Sequence, residues 1–326
     1  MKVLLLGATG LLGHNVLRHL LQEGHEVVAL VRRPDGIRLE GEGWQTVVGS
    51  LLSYPTVRDA AQGCDAVVNC AGTTDMSLRH YDDFLPVNRD LCAHLVRLLD
   101  EGVVHTVVHT SSVDTIGFGS AEHPADEDTP MREPFLSSLY ARSKREGEQL
   151  LTDAARRLPH CHVVVVNPGF MIGPYDVGPS SGQLLLAAYR RPLMLAPKGG
   201  KAFVAADDVA VAIVNALARG TSGARYILTN SHGCLSIRQL YRLQARCCGY
   251  RQRVLSTPNR MLLAAGLLGD LLRTLGLRTQ LSSNNVRQLS VAEHYANRRA
   301  VLELGLPETP VETALHDFFS WFANKQ

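Results

Sequence analysis

The chain has 326 residues, 45% of them hydrophobic, and 33 basic against 31 acidic side chains leave a formal charge of +2. This length suits one large α/β domain or two smaller ones with a substantial core. The balanced charge, without long like-charge runs, points neither to a nucleic-acid footprint nor to an acidic membrane partner. Seven scattered cysteines, among them the vicinal Cys247 and Cys248, form no Cys-x-x-Cys pair. They read as reduced core thiols of a cytoplasmic protein, not as a disulfide framework or zinc site.

In chain order, "KVLLLG" is a short continuous apolar run, expected of a parallel strand buried on both faces. It is not expected to be a signal peptide, because glycines follow at once and no A-x-A-like site appears. "GATGLLG" then places Gly7, Gly10 and Gly13 between that strand and a helical pattern ending at Gly24. Glycines permit the tight turn, let backbone approach a pyrophosphate and let helix pack close to sheet, while the helix N-terminus attracts the anion. In this strand–loop–helix context the triplet predicts dinucleotide binding.

The second strand, "HEVVALV", ends at Val31, where NAD-binding folds usually carry an acid, and Arg32 and Arg33 follow. A guanidinium binds a 2′-phosphate bidentately, so NADP is favoured over NAD. "TVVG", "DAVVNCAG", "HTVVHTSS", "HVVVVNPG" and "ARYILTN" are further strand candidates with helical stretches between them. Repeated strand–helix–strand units predict an α/β fold, a Rossmann-like doubly wound parallel sheet. After Pro168 the order loosens: "GPYDVGPSSGQ" reads as loop, "FVAADDVAVAIVNALARG" as a turn into a helix, and the chain beyond residue 231 as mostly helical. The expected division is a dinucleotide-binding unit over 1–170, to which 201–230 returns. A smaller, mostly helical substrate-binding region takes 171–200 and 231–326. The Leu-rich segment 261–277 is interrupted by Asp270 and Arg273 and is too short to span a bilayer. A lid or buried helix is expected there, with an interfacial helix as the alternative.

"LYARSK" sets Tyr140 and Lys144 one helical turn apart. Alone, such a pair is ordinary helix surface, Ser111–Ser112 a turn or cap, and Asn88 a helix N-terminal residue. The glycine loop at the other end of the sheet changes that weighting. The loop, "NCAG" (69–72), "PVNRD" with Asn88, "HTSSVDTIG" (109–117), "YARSK" (140–144) and "NPGFMIGP" (167–174) together resemble an extended short-chain dehydrogenase/reductase over nearly the whole chain. The similarity is greatest to the dihydroflavonol 4-reductase and 3β-hydroxysteroid dehydrogenase branch.

That resemblance implies Ser112 as the active-site serine, with Ser111 its competitor, Tyr140 as general acid/base and Lys144 as its support. Lys144 is expected to lower the phenol's pKa from its ordinary ~10. Asn88 would order a proton-relay water. The expected cofactor contacts are Gly7, Thr9, Gly10, Leu11, Leu12, Gly13, Arg32, Arg33, Ala71, Asn88, Tyr140, Lys144 and Pro168. Members of the family are commonly homodimers.

Two positions depart from the family's patterns. Ser50 stands where an Asp near adenine is common. Val113 precedes Asp114 where sugar-nucleotide dehydratases carry an acidic pair, and dehydration needs both an acid and a base. The expected activity is therefore NADPH-dependent reduction of a ketone or aldehyde on a fairly apolar small molecule. An NAD-holding nucleotide-sugar epimerase and a non-catalytic NADP-binding regulator are the alternatives. Among the thirteen histidines no pair stands at i, i+4 metal-ligand spacing within an acidic helix, and no metal is expected.

Overall fold

The computed structural model describes residues 1–33, 36, 37, 39, 41–178, 181–277, 279 and 281–324. Residues 179 and 180 of the expected loop at 173–183 lie outside the described residues. Strands β1 to β6 are Lys2–Leu6, Glu26–Val31, Trp44–Val48, Ala66–Asn69, Thr106–Thr110 and His162–Pro168. Strands β7 to β12 are Phe170–Ile172, Leu193–Ala196, Gly200–Ala205, Arg225–Leu228, Cys234–Ser236 and Arg253–Ser256. Helices α1 to α5 are Leu11–Gln22, Tyr54–Ala61, Leu91–Asp100, Leu139–Arg157 and Gly182–Ala188. Helices α6 to α10 are Ala206–Asn215, Ile237–Cys247, Asn259–Thr274, Ser283–Gln288 and Val311–Ala323.

Seven strands form one parallel sheet in the order β10-β6-β5-β4-β1-β2-β3. Side chains alternate across it. Val3 and Leu5 join a core with α1 and α6, while Leu4 and Leu6 join a second core with α2, α3 and α4. Both faces are buried, which is why these strands are continuous Val/Leu runs instead of alternating ones. The strand order reverses beside β1, the point at which sheets of this kind bind ligands outside the carboxyl ends of their strands.

The C-terminal region is less purely helical than its sequence suggests. It contains a three-stranded sheet, β11-β9-β7, and a parallel pair, β12-β8. These strands have three to six residues and little alternation, so local pattern carries almost no signal for them. The expected turn at "FVA" is the end of β9; α6 and β10 then return to the large sheet.

Helix α4 is fixed unusually firmly. Ser138 caps it, accepting from the Ala141 amide at 3.3 Å. A Cβ on Gly147 would stand 2.1 Å from the Asn88 carbonyl oxygen, so the helix packs directly on the preceding π-helical turn, Pro86–Asp90. One turn past Lys144, the buried Glu148 carboxylate accepts from Ser111 Oγ (2.8 Å), Thr115 Oγ1 (2.8 Å) and Asn167 Nδ2 (2.9 Å). Arg145 (2.5 Å) and Arg225 (3.1 Å) supply its countercharge. This network ties α4 to the ends of β5 and β6.

Removing a buried carboxylate strands its partners, and such losses cost about 3 kcal/mol or more. Glu148→Ala is expected to lose that much stability in urea unfolding; an unchanged midpoint would show that the network carries little of the fold.

Candidate active site

The glycine loop has the geometry a dinucleotide requires. Gly7 has φ +83°, and a Cβ there would lie 2.7 Å from the Ala71 nitrogen. A Cβ on Gly13 would lie 2.1 Å from the Gly7 carbonyl oxygen, so only glycine lets α1 approach β1 this closely. Gly10 differs: its added Cβ would meet only Gly7 O, at 3.6 Å, and would otherwise fill open space before α1. No side chain caps α1 at Gly10. An uncapped helix N-terminus behind an open glycine cradle fits a pyrophosphate.

Thr9 and Gly10 are exposed, whereas Leu11, Leu12 and Ala71 are buried beneath the cradle. Ala71 follows β4, and its amide donates to Asn69 Oδ1 at 3.0 Å. Pro168 ends β6 on the same carboxyl edge. Arg32 and Arg33 follow β2, both exposed, and neither has a hydrogen bond or ion pair among the described residues.

At the ends of β5 and α4 the predicted residues converge. Ser111 and Ser112 point to different sides. The Ser111 hydroxyl donates to buried Glu148 and is occupied in the core. The Ser112 hydroxyl caps the short turn Val113–Thr115 and also influences the Tyr140 phenol. Geometry therefore favours Ser112 as the serine of the site. Lys144 is buried and donates to the Thr110 carbonyl at 2.7 Å. Burial lowers its pKa, while the neighbouring Cys92, Cys70 and Glu148 pull it back up. Asn88 is buried, donating to Thr73 O (3.1 Å) and Ser143 Oγ (2.9 Å) and accepting from Thr73 N (2.8 Å). Its amide is thus spent on fixing the loop beside Lys144. A Cβ on Gly72 would lie 3.2 Å from Lys144 Nζ and 3.6 Å from Asn88 Oδ1.

The electrostatics differ from the sequence expectation in one respect. Tyr140 is not depressed but raised above its ordinary pKa, first by burial and then by the Asp114 carboxylate; the Ser112 hydroxyl pulls the other way. Lys144 does not offset this, because its ammonium is turned to Thr110. The phenol is therefore protonated at neutral pH, the state of a proton donor. Asp114 is itself raised by burial, with Lys201 opposing. Lys201 forms a buried ion pair with Glu293, and burial pushes the Glu293 carboxyl up to about 7.

Tyr140 lines a cavity of about 260 Å³ with Leu78, Phe84, Leu139, Arg273 and Asn285. Helix α8 roofs it. A larger groove of about 820 Å³, between α7 and the start of α10, holds none of the predicted site residues. Glu148 and the Lys201–Glu293 pair are site-shaping groups the sequence did not single out. Asp114 stands out in the sequence as the acid after Val113, but its action on the Tyr140 phenol does not. At the opposite edge of the sheet His105, His160 and Cys161 place ligand-type atoms within 4.8 Å of one another. Their separation in sequence hid that grouping.

Residues 3–228 match the model of the NAD dependent epimerase/dehydratase family. A putative dihydroflavonol 4-reductase of Synechocystis is 29% identical over 98% of this chain and 93% of its own. Sterol demethylase protein B of Methylococcus capsulatus is 29% identical over 100% of this chain and 99% of its own. The solved structure of gox2253 superposes with a TM-score of 0.83 at 27% identity, covering 99% of this chain and 98% of that one. The chain thus belongs to the NAD-dependent epimerase/dehydratase family, among the extended short-chain dehydrogenases/reductases, and is an NAD(P)-binding enzyme of oxidoreductase type.

Proposed function

We propose that the protein reduces a ketone or aldehyde on a fairly apolar small molecule, using NADPH. The observation that carries this reading is the Tyr140 side chain on the wall of a partly apolar cavity, on the helix that also holds Lys144 fixed at the Thr110 carbonyl. The relatives named dihydroflavonol 4-reductase and sterol demethylase support a hydrophobic, oxygenated substrate.

Bound NADPH would be held by Gly7, Thr9, Gly10, Leu11, Leu12 and Gly13 at its phosphates, and by Ala71, Lys144 and Pro168 further along the strand ends, with Asn88 bracing the loop beside them; it supplies the hydride. The chain's own groups do the rest. Ser112 donates to the carbonyl oxygen and polarises it. Tyr140 gives its phenolic proton to that oxygen as negative charge develops. Lys144, fixed on the Thr110 carbonyl, keeps its positive charge at the strand end, where it would orient the bound cofactor. Leu78, Phe84 and Leu139 exclude water and receive the apolar body of the substrate. Arg32 and Arg33 support NADP over NAD, because Val31 leaves no carboxylate to repel a 2′-phosphate.

General acid catalysis contributes about 10²–10⁴-fold. Tyr140→Phe is therefore expected to lower NADPH oxidation with a carbonyl panel by at least about 100-fold; undiminished turnover would remove Tyr140 from the chemistry. Replacing both Arg32 and Arg33 by Ala should weaken NADP binding by roughly 10- to 100-fold, the scale of lost charge-assisted hydrogen bonds, and leave NAD binding unchanged. Calorimetric titration reads both, and wild-type preference for NAD would contradict the arginine assignment. Asp114→Asn removes a negative charge that raises Tyr140, so the phenol's pKa falls. The alkaline limb of kcat/KM for reduction should then move to lower pH; an unmoved limb would show that Asp114 does not act on Tyr140.

A further inference from the structure

Helix α8 is amphipathic the wrong way round for a surface helix. Its charged residues inside the Leu-rich run face the protein. Asp270 accepts from the Ser283 amide at 3.2 Å, and Arg273 donates to the carbonyls of Leu78 (2.6 Å) and Ser77 (3.3 Å). Two glycines fix this orientation. A Cβ on Gly266 would lie 2.8 Å from Ser283 Cα, and one on Gly269 would lie 2.2 Å from the Leu281 carbonyl oxygen. The opposite stripe carries Leu267, Leu268 and Leu271, each 56% exposed, and then Leu275 at 71%. Solvent-facing leucines in this number require a cover.

The strand pair β8–β12 continues the pattern up to two residues before α8. Leu193, Leu195 and Leu255 are more than half exposed, with Arg253 paired beside Leu193. The charge of this part of the chain is one-sided. Residues 231–292 hold nine arginines and a single acid, the inward-facing Asp270. Arg251, Arg253 and Arg260 are exposed and form no ion pair among the described residues. No helix among the described residues is long and apolar enough to cross a membrane.

We propose that α8 and the β8–β12 pair seat the protein on an anionic lipid surface. The leucines enter the boundary between headgroups and acyl chains, and the flanking arginines meet the anionic headgroups. A second copy of the chain fits this face less well, because it would set arginine against arginine. Asp270, Arg273 and Thr274 on the inner side of the same helix line the Tyr140 cavity.

The test is co-sedimentation of the full chain with vesicles, which reads binding without turnover and stands apart from the reductase reading. Wild type should sediment with an equal mixture of phosphatidylcholine and phosphatidylglycerol, weakly with phosphatidylcholine alone, and less as salt rises. The combined change Leu267→Ser, Leu268→Ser and Leu271→Ser should weaken binding more than about tenfold with an unchanged melting midpoint, since these side chains are exposed. Arg253→Glu with Arg260→Glu should abolish the preference for the anionic mixture. Absence of wild-type binding, or binding indifferent to the leucine changes, overturns the proposal. So does a solution dimer that the leucine changes dissolve, which would assign the face to a second copy.

Discussion

A single buried carboxylate organises the catalytic edge of this protein. Glu148 gathers Ser111, Thr115, Asn167, Arg145 and Arg225 onto one turn of α4 and so fixes that helix against the ends of β5 and β6. Lys144 and Tyr140 lie one and two turns earlier on the same helix, and Ser112 lies next to Ser111. Neither the distance from Lys144 to Thr110 nor the placing of Ser112 toward the phenol is independent of that anchor. A buried ion pair contributes little net stability by itself, but losing one partner is costly, and this makes it suited to enforcing geometry. Gly147 complements it by letting α4 sit on the Asn88 carbonyl.

The sequence shows the sheet and the glycine loop because both are set by local rules. Continuous Val runs mark strands covered on both faces, and Gly7 and Gly13 occupy positions where a Cβ collides with backbone. Tyr140, Lys144 and Ser112 become legible through their order along the chain. Glu148 does not. In "KREGEQ" it looks like one more solvated charge, and its burial depends on Thr115, Asn167 and Arg225, which arrive from distant segments. The direction of the Tyr140 shift is hidden for the same reason, because it depends on Asp114 being buried nearby and on Lys144 turning to Thr110. The small sheets around β9 and β8 escape detection because their strands are short and pair across long separations. For α8, the leucine pattern predicts a helix but not which side faces the protein; Gly266, Gly269 and Asp270 decide that.

These features describe one chemical environment. A protonated phenol stands at the carboxyl edge of a parallel sheet, next to an open anion cradle and under an apolar-backed helix. Asp114 favours the protonated phenol before reaction, and Lys144 is held one turn away on the Thr110 carbonyl. The most direct measurement follows the hydride itself, using NADPH deuterated at nicotinamide C4 with a carbonyl compound the enzyme turns over. The account predicts deuterium on the carbinol carbon of the product, at a rate that collapses when Tyr140 is replaced by Phe. Turnover without net oxidation of the cofactor, or deuterium transfer indifferent to Tyr140, would contradict it.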